Sequence, residues 1–196
     1  MKRNLAITNF KSSFQSCDKD TETILRKIFV ESRPYSDKLK KLMVVNTKDC
    51  LTNPKYDTIV QNFDLSRLVE EGYVRQVPKL SFDEHEEIRA YMILTFDNFT
   101  PTDNPEFRDC TVHIDVLCHT DYWDVGNYKV RPLQICGFID SILNESKLSG
   151  IGTLNFLGCN LLILDENLSG YSLTYTATHG SDDKITAEEA EIYSGQ

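Results

Sequence analysis

The chain has 196 residues, 40% hydrophobic and 26% charged, which suits one globular domain with a substantial core plus extensions. Its formal net charge of −9 argues against binding nucleic acid by phosphate neutralisation, which needs clustered Lys and Arg. The longest apolar runs, "YMIL" and "LLIL", fall far short of the roughly 20 residues a membrane helix requires.

The opening "MKRNLAITNFK" is basic, but its apolar part is too short for a signal peptide, so the protein is expected to stay inside the cell that makes it. Residues 20–31, "DTETILRKIFVE", predict a helix capped by Asp20 or Thr21, with Ile24, Leu25, Ile28 and Phe29 on one side. Pro34 stops it, and a second short helix is expected over 36–43 with Leu39, Leu42 and Met43 inward. The basic residues of "LRKIF" and "DKLKKLM" read as solvated surface. "NTKDCLTNPKYD" reads as a loop, and a poorly patterned stretch holding Leu65, Leu68 and Val69 ends at Gly72.

From residue 73 the pattern turns to strand. "YVRQV" is a short strand, and "RAYMILTF" a longer one with Met92, Leu94 and Phe96 on one face. "DNFTPTDNPEFRDC" then reads as a connection of about twelve residues, long for a hairpin, whose loops run about 2–5. It is expected to be an arm lying on another chain. Pro101 and Pro105 restrict its backbone, and Phe99 and Phe107 offer apolar anchors.

"TVHIDVLCHTDYWD", 111–124, gathers His113, Asp115, His119 and Asp121. Strict alternation predicts a strand over 111–119 with Val112, Ile114, Val116 and Cys118 on the core face. Thr111, His113, Asp115, Leu117 and His119 then share a wet or subunit-facing side. His113 and His119 stand about 20 Å apart along a straight strand, so one metal does not bridge them, and no metal is expected. The six cysteines, at 17, 50, 110, 118, 136 and 159, form no close pairs, which disfavours a zinc knuckle. Disulfides are not expected either, and a nucleophilic Cys118 is disfavoured because His119, next to it on a strand, points the other way.

After "DYWDVGNYKVR", where Tyr122 and Trp123 are expected at a protein interface, 132–145 predicts the clearest helix. Pro132 suits its first turn, and Ile135, Cys136, Phe138, Ile139, Ile142 and Leu143 form its apolar arc. Strands are expected over 154–164, broken near Gly158, and over 170–178. The acidic tail 181–196 reads as disordered or as a docking arm. The fold class is α+β: a mostly antiparallel sheet with one amphipathic helix packed on it, plus N-terminal helices. The domain reading is an N-terminal helical extension over 1–50, a core over 51–180 and the tail.

On "VHIDVLCHTDYWDVGNYKVRPLQICGFIDSIL" and "LGCNLLILDENLSGYSLTYTATHG", residues 73–180 resemble tail-terminator and neck-ring proteins of tailed bacteriophages, with a likeness to ring proteins in the necks of crAss-like phages. The resemblance implies a structural, non-enzymatic virion protein without cofactor or metal. It implies a homo-oligomeric ring, a hexamer or dodecamer, docked on the portal or on adjacent neck or tail proteins. DNA would pass through the lumen without specific binding, and no membrane is involved. The implied location is the virion neck or tail, and the host cytoplasm during assembly. The competing enzyme reading is a metal-dependent hydrolase or nuclease in which a bend near Thr120 lets Asp115, His119 and Asp121 meet, with His85 from "SFDEHEEIR". A third is a small adaptor that binds one protein partner through a strand edge.

Overall fold

The computed structural model describes residues 13–77, 88–103 and 107–180. The expectations for His85, Pro105 and the tail 181–196 lie outside these residues. A 3-10 turn over Ser13–Ser16 leads into helix α1, Cys17–Arg26, which continues as a π-helical turn over Lys27–Glu31. Helices α2, Tyr35–Val44, α3, Lys55–Gln61, and α4, Leu65–Glu70, follow. The expected loop over "NTKDCLTNPKYD" therefore gives way to α3 at its end, where Tyr56 and Val60 turn inward. Asp64 caps α4, its carboxylate accepting from the Arg67 N–H at 2.9 Å.

The strands are β1, Val74–Arg75, β2, Ala90–Pro101, and β3, Phe107–His119. After helix α5, Arg131–Leu143, come β4, Lys147–Leu148, β5, Gly152–Thr153, β6, Asn155–Ile163, and β7, Leu168–Gly180. Five of them form one sheet in the order β1-β2-β3-β7-β6, antiparallel except for the short β1–β2 pair. The α+β class with a mostly antiparallel sheet is thus what the chain folds into.

The long connection expected after "RAYMILTF" is replaced by strand. β2 and β3 run on as a hairpin to the pair Pro101↔Arg108, leaving only 102–106 between them. The Asp-Asn-Phe-Thr composition that suggested a loop is accommodated by a register shift between Asp97 and Thr100, where Asn98 adopts φ 52°. Polar residues can therefore sit in a strand there without breaking the ladder.

The core lies between the sheet and the helices. Val112, Ile114 and Val116 of β3 meet Ile135, Ile139 and Ile142 of α5, all buried as their periodicities require. Ile24, Ile28, Phe29, Leu39 and Leu42 join the same cluster, so residues of the N-terminal helices pack with the sheet rather than standing off as an extension. Alternation fails at the end of β3. Leu117, expected on the wet face, is buried with Tyr91, Ile93 and Leu168 in a second small cluster, and His119 is also buried.

One charged side chain sits at the centre of the packing. Arg131, at the start of α5, is fully buried. It donates to the carbonyls of Tyr122 at 2.7 Å, Leu42 at 2.7 Å, Val45 at 3.2 Å and Thr47 at 2.9 Å. Its guanidinium also stacks 3.5 Å over the Tyr122 ring. The Leu42 and Val45 carbonyls belong to the end of α2, the negative end of that helix's dipole, which suits a cation. Arg131 thereby locks α2, the segment after it and α5 together.

Candidate functional site

His113 and Asp115 lie on the polar side of β3. His113 pairs in register with Thr95 and Thr174, its Nδ1 lying 3.3 Å from the Thr174 hydroxyl, and Asp115 pairs with Ile93 and Ser172. His119 does not join them: its Nδ1 accepts from the Asp121 N–H at 3.3 Å, capping the 3-10 turn over Thr120–Tyr122, while the Asp121 carboxylate is 3.9 Å away and exposed. Asp115, His119 and Asp121 are not brought together, and among the described residues no group of three His, Cys, Asp or Glu is placed to hold a metal ion.

Another polar cluster has no precursor in local sequence. His179, fully buried near the end of β7, meets the Asp20 carboxylate of α1 through Nδ1, and its Nε2 lies 3.6 Å from the Cys17 Sγ. Thiol, imidazole and carboxylate stand in the order that nucleophilic enzymes use. Here, however, burial, together with the negative charges of Asp20 and Asp18, pushes the Cys17 thiol pKa up, whereas an activated nucleophile needs it lowered. The cluster reads as a buried clasp fastening α1 to the last strand. Gly150 is part of it: with φ +83° and a Cβ that would come within 2.5 Å of Asp20 Oδ1, the position needs glycine. Cys17 and His179 are 162 residues apart, so periodicity offered no signal for the contact.

The residues expected to dock on another protein have different fates. Phe99 turns inward on its own chain, 4.7 Å from Phe14 and 5.8 Å from His179. Pro101 is exposed and Phe107 partly so, at the far end of the hairpin. Trp123 is half-buried, its indole N–H donating to the Cys118 carbonyl at 3.2 Å. Tyr122 belongs to the interior, its hydroxyl donating to the Val45 carbonyl at 2.5 Å, which leaves no face for a partner. A polar depression of about 470 Å³ lies beside Asn98, Asp109 and a group of threonines, including Thr111, Thr176 and Thr178; its lining carries little chemistry beyond hydrogen bonding.

Apolar side chains are exposed along β6. β6 ends the sheet, and Phe156, Leu157, Leu161, Ile163 and the following Leu164 are 43–66% exposed. Pairing with Tyr175, Leu173, Tyr171 and Ser169 puts Phe156, Cys159, Leu161 and Ile163 on the side that carries α5. That helix covers β3 and β7, so the apolar face of the sheet continues past it into solvent. Sequence patterning placed this strand and its break near Gly158 but not its position at the edge.

A family model described as YomW, a Bacillus phage-derived (SPBc2-like) family, matches residues 36–177, from α2 through most of β7. No curated protein matches the chain.

Proposed function

The chain belongs to the YomW family, a phage-derived one, and from that premise we propose that it is a structural protein of the virion, assembling into a hexameric or dodecameric ring in the neck between portal and tail. The observation that carries this reading is the bare apolar edge at β6, a surface that an assembling protein uses and that a solitary one would have to protect. The ring passes DNA through its lumen without specific binding, which suits a chain of net charge −9. The hairpin end with Pro101 and Phe107, and the half-buried Trp123, are the surfaces offered to the portal or to adjacent neck and tail proteins. On this reading the protein is not an enzyme, and the Cys17–His179–Asp20 cluster serves the fold.

Native mass spectrometry and electron microscopy of the purified protein test the ring, and protein identification in purified virions tests its place. The expected result is one closed species of uniform size, present in virions. A monomer under virion-like conditions, together with absence from virions, overturns the proposal.

A further inference from the structure

We propose that two copies of this chain join through β6, edge to edge and antiparallel, about a two-fold axis near the middle of the strand. The inference rests on the assembly reading above, but not on the ring or the neck.

Strand edges display unpaired backbone N–H and C=O groups, and proteins that must stay apart blunt them with charge, proline or bulges. From Leu154 to Leu164 there is no Asp, Glu, Lys, Arg or Pro. β6 pairs in the sheet with β7, and no other strand pairs with it among the described residues, although the Phe156 N–H already donates to the Asn144 Oδ1 at 3.1 Å. The opposite side of the sheet is built differently. There β1 covers only Met92 and Ile93 of β2, and the uncovered part of β2 carries Asp97, the irregularity at Asn98 and Pro101. β6 carries one of the usual devices, the bulge between Phe156 and Gly158, whereas the uncovered part of β2 carries three, which disfavours a head-to-tail β6–β2 ladder.

Charge selects the partner. Two chains of net charge −9 repel, and β6 is a place where they can touch without bringing like charges together. A two-fold contact also makes the strand its own complement, since whatever residue i meets, its counterpart meets in return. With the axis near Cys159, Leu161 of one copy comes opposite Leu157 of the other and Cys159 opposite its own counterpart, adding apolar cross-strand neighbours to the backbone ladder. The exposed parts of Phe156, Leu157, Leu161, Ile163 and Leu164 amount to on the order of 500 Å² per copy, and the backbone and flanking α5 surface bring this toward the ~800 Å² per partner of a stable interface. Two five-stranded sheets become one continuous sheet. Such a contact closes at two, so a larger ring needs a second interface, consistent with a dodecamer of paired copies.

Sedimentation velocity across a concentration series, on wild type and on Leu161→Lys, Ile163→Lys and Thr100→Lys, tests this. The first two place charge on the exposed β6 edge, and Thr100 is the exposed control on β2. The expected result is a wild-type dimer or a multiple of it. The β6 variants should dissociate at least about tenfold more readily with melting temperatures within a few degrees of wild type, and Thr100→Lys should behave as wild type. Cys159, exposed on β6, gives a reading that needs no folded variant: a thiol probe should label it more slowly as wild-type concentration rises. Loss of assembly in Thr100→Lys as well as in the β6 variants would mean head-to-tail pairing and overturn the two-fold. Wild type that stays monomeric, β6 variants that assemble normally, or Cys159 labelling independent of concentration would also overturn it. A ring that persists in Leu161→Lys rejects this interface and leaves the neck reading standing; a β6 dimer that never forms a ring does the reverse.

Discussion

Arg131 ties three segments of the chain together from a fully buried position. Among the described residues no carboxylate faces it, and its charge is met by the carbonyls of Tyr122, Leu42, Val45 and Thr47. Removing it strands several buried acceptors at once, so Arg131→Met should cost about 3–5 kcal/mol in urea denaturation. Arg131→Lys should recover only part of that, because one ammonium cannot reproduce the planar fork that serves carbonyls on both sides of the core. Burial also acts on the thiols, pushing Cys110 and Cys118 up to about 12 from an ordinary value near 9. The folded state then keeps protons that the unfolded chain gives up. The sign follows: the stability these thiols contribute is whole below pH 9 and is lost as pH rises toward about 12. Melting temperature measured across that range should fall, and Cys118→Ala should flatten the fall. Burial raises the Tyr122 and Tyr175 hydroxyls in the same direction, so they steepen the loss.

At the scale of elements, β3 and α5 meet through Ile114 and Ile139, both fully buried. Truncating either to alanine should cost roughly 2–5 kcal/mol by chemical denaturation, and no change would mean that the two faces are misassigned. Gly170 leaves the least room of the described glycines: a Cβ there would be driven into the Val116 carbonyl of β3. Gly170→Ala should therefore prevent the β3–β7 ladder from closing, seen as loss of the cooperative melting transition. These elements were largely legible beforehand. α5 shows a 3.6-residue period, β3 and β7 alternate cleanly, and the break near Gly158 coincides with the observed register shift between Phe156 and Gly158. What was illegible has physical causes. α3 is a seven-residue helix with only Tyr56 and Val60 buried, too little to register as a period. The continuation of β2 to Pro101 depends on pairing with β3 and is not encoded in its own Asn- and Pro-rich residues. The candidate assembly edge is a property of strand order, which no local pattern states, and the Cys17–His179–Asp20 clasp joins opposite ends of the chain.

For the whole molecule, the distribution of charge makes assembly sensitive to salt. If copies with a net charge of −9 meet across an uncharged strand, screening their mutual repulsion should strengthen association. Raising ionic strength from about 0.05 to 0.3 M should shift sedimentation toward the larger species, whereas docking through paired charges would weaken. The hairpin end gives a separate reading. Phe107→Ser should leave melting nearly unchanged and impair docking to a neighbour. Phe99→Ser should lower melting by several degrees, because Phe99 lies against Phe14, Phe96 and His179 of its own chain. The buried guanidinium also bears on how the molecule opens. α5 cannot peel from the sheet without carrying that cation away from the end of α2, nor can α2 leave without orphaning it. The two helices, although separated by α3, α4 and three strands of chain, should breathe as one unit: amide protons of Leu42–Val45 and of the first turns of α5 should exchange with deuterium at a shared opening free energy, and Arg131→Met should split them into two.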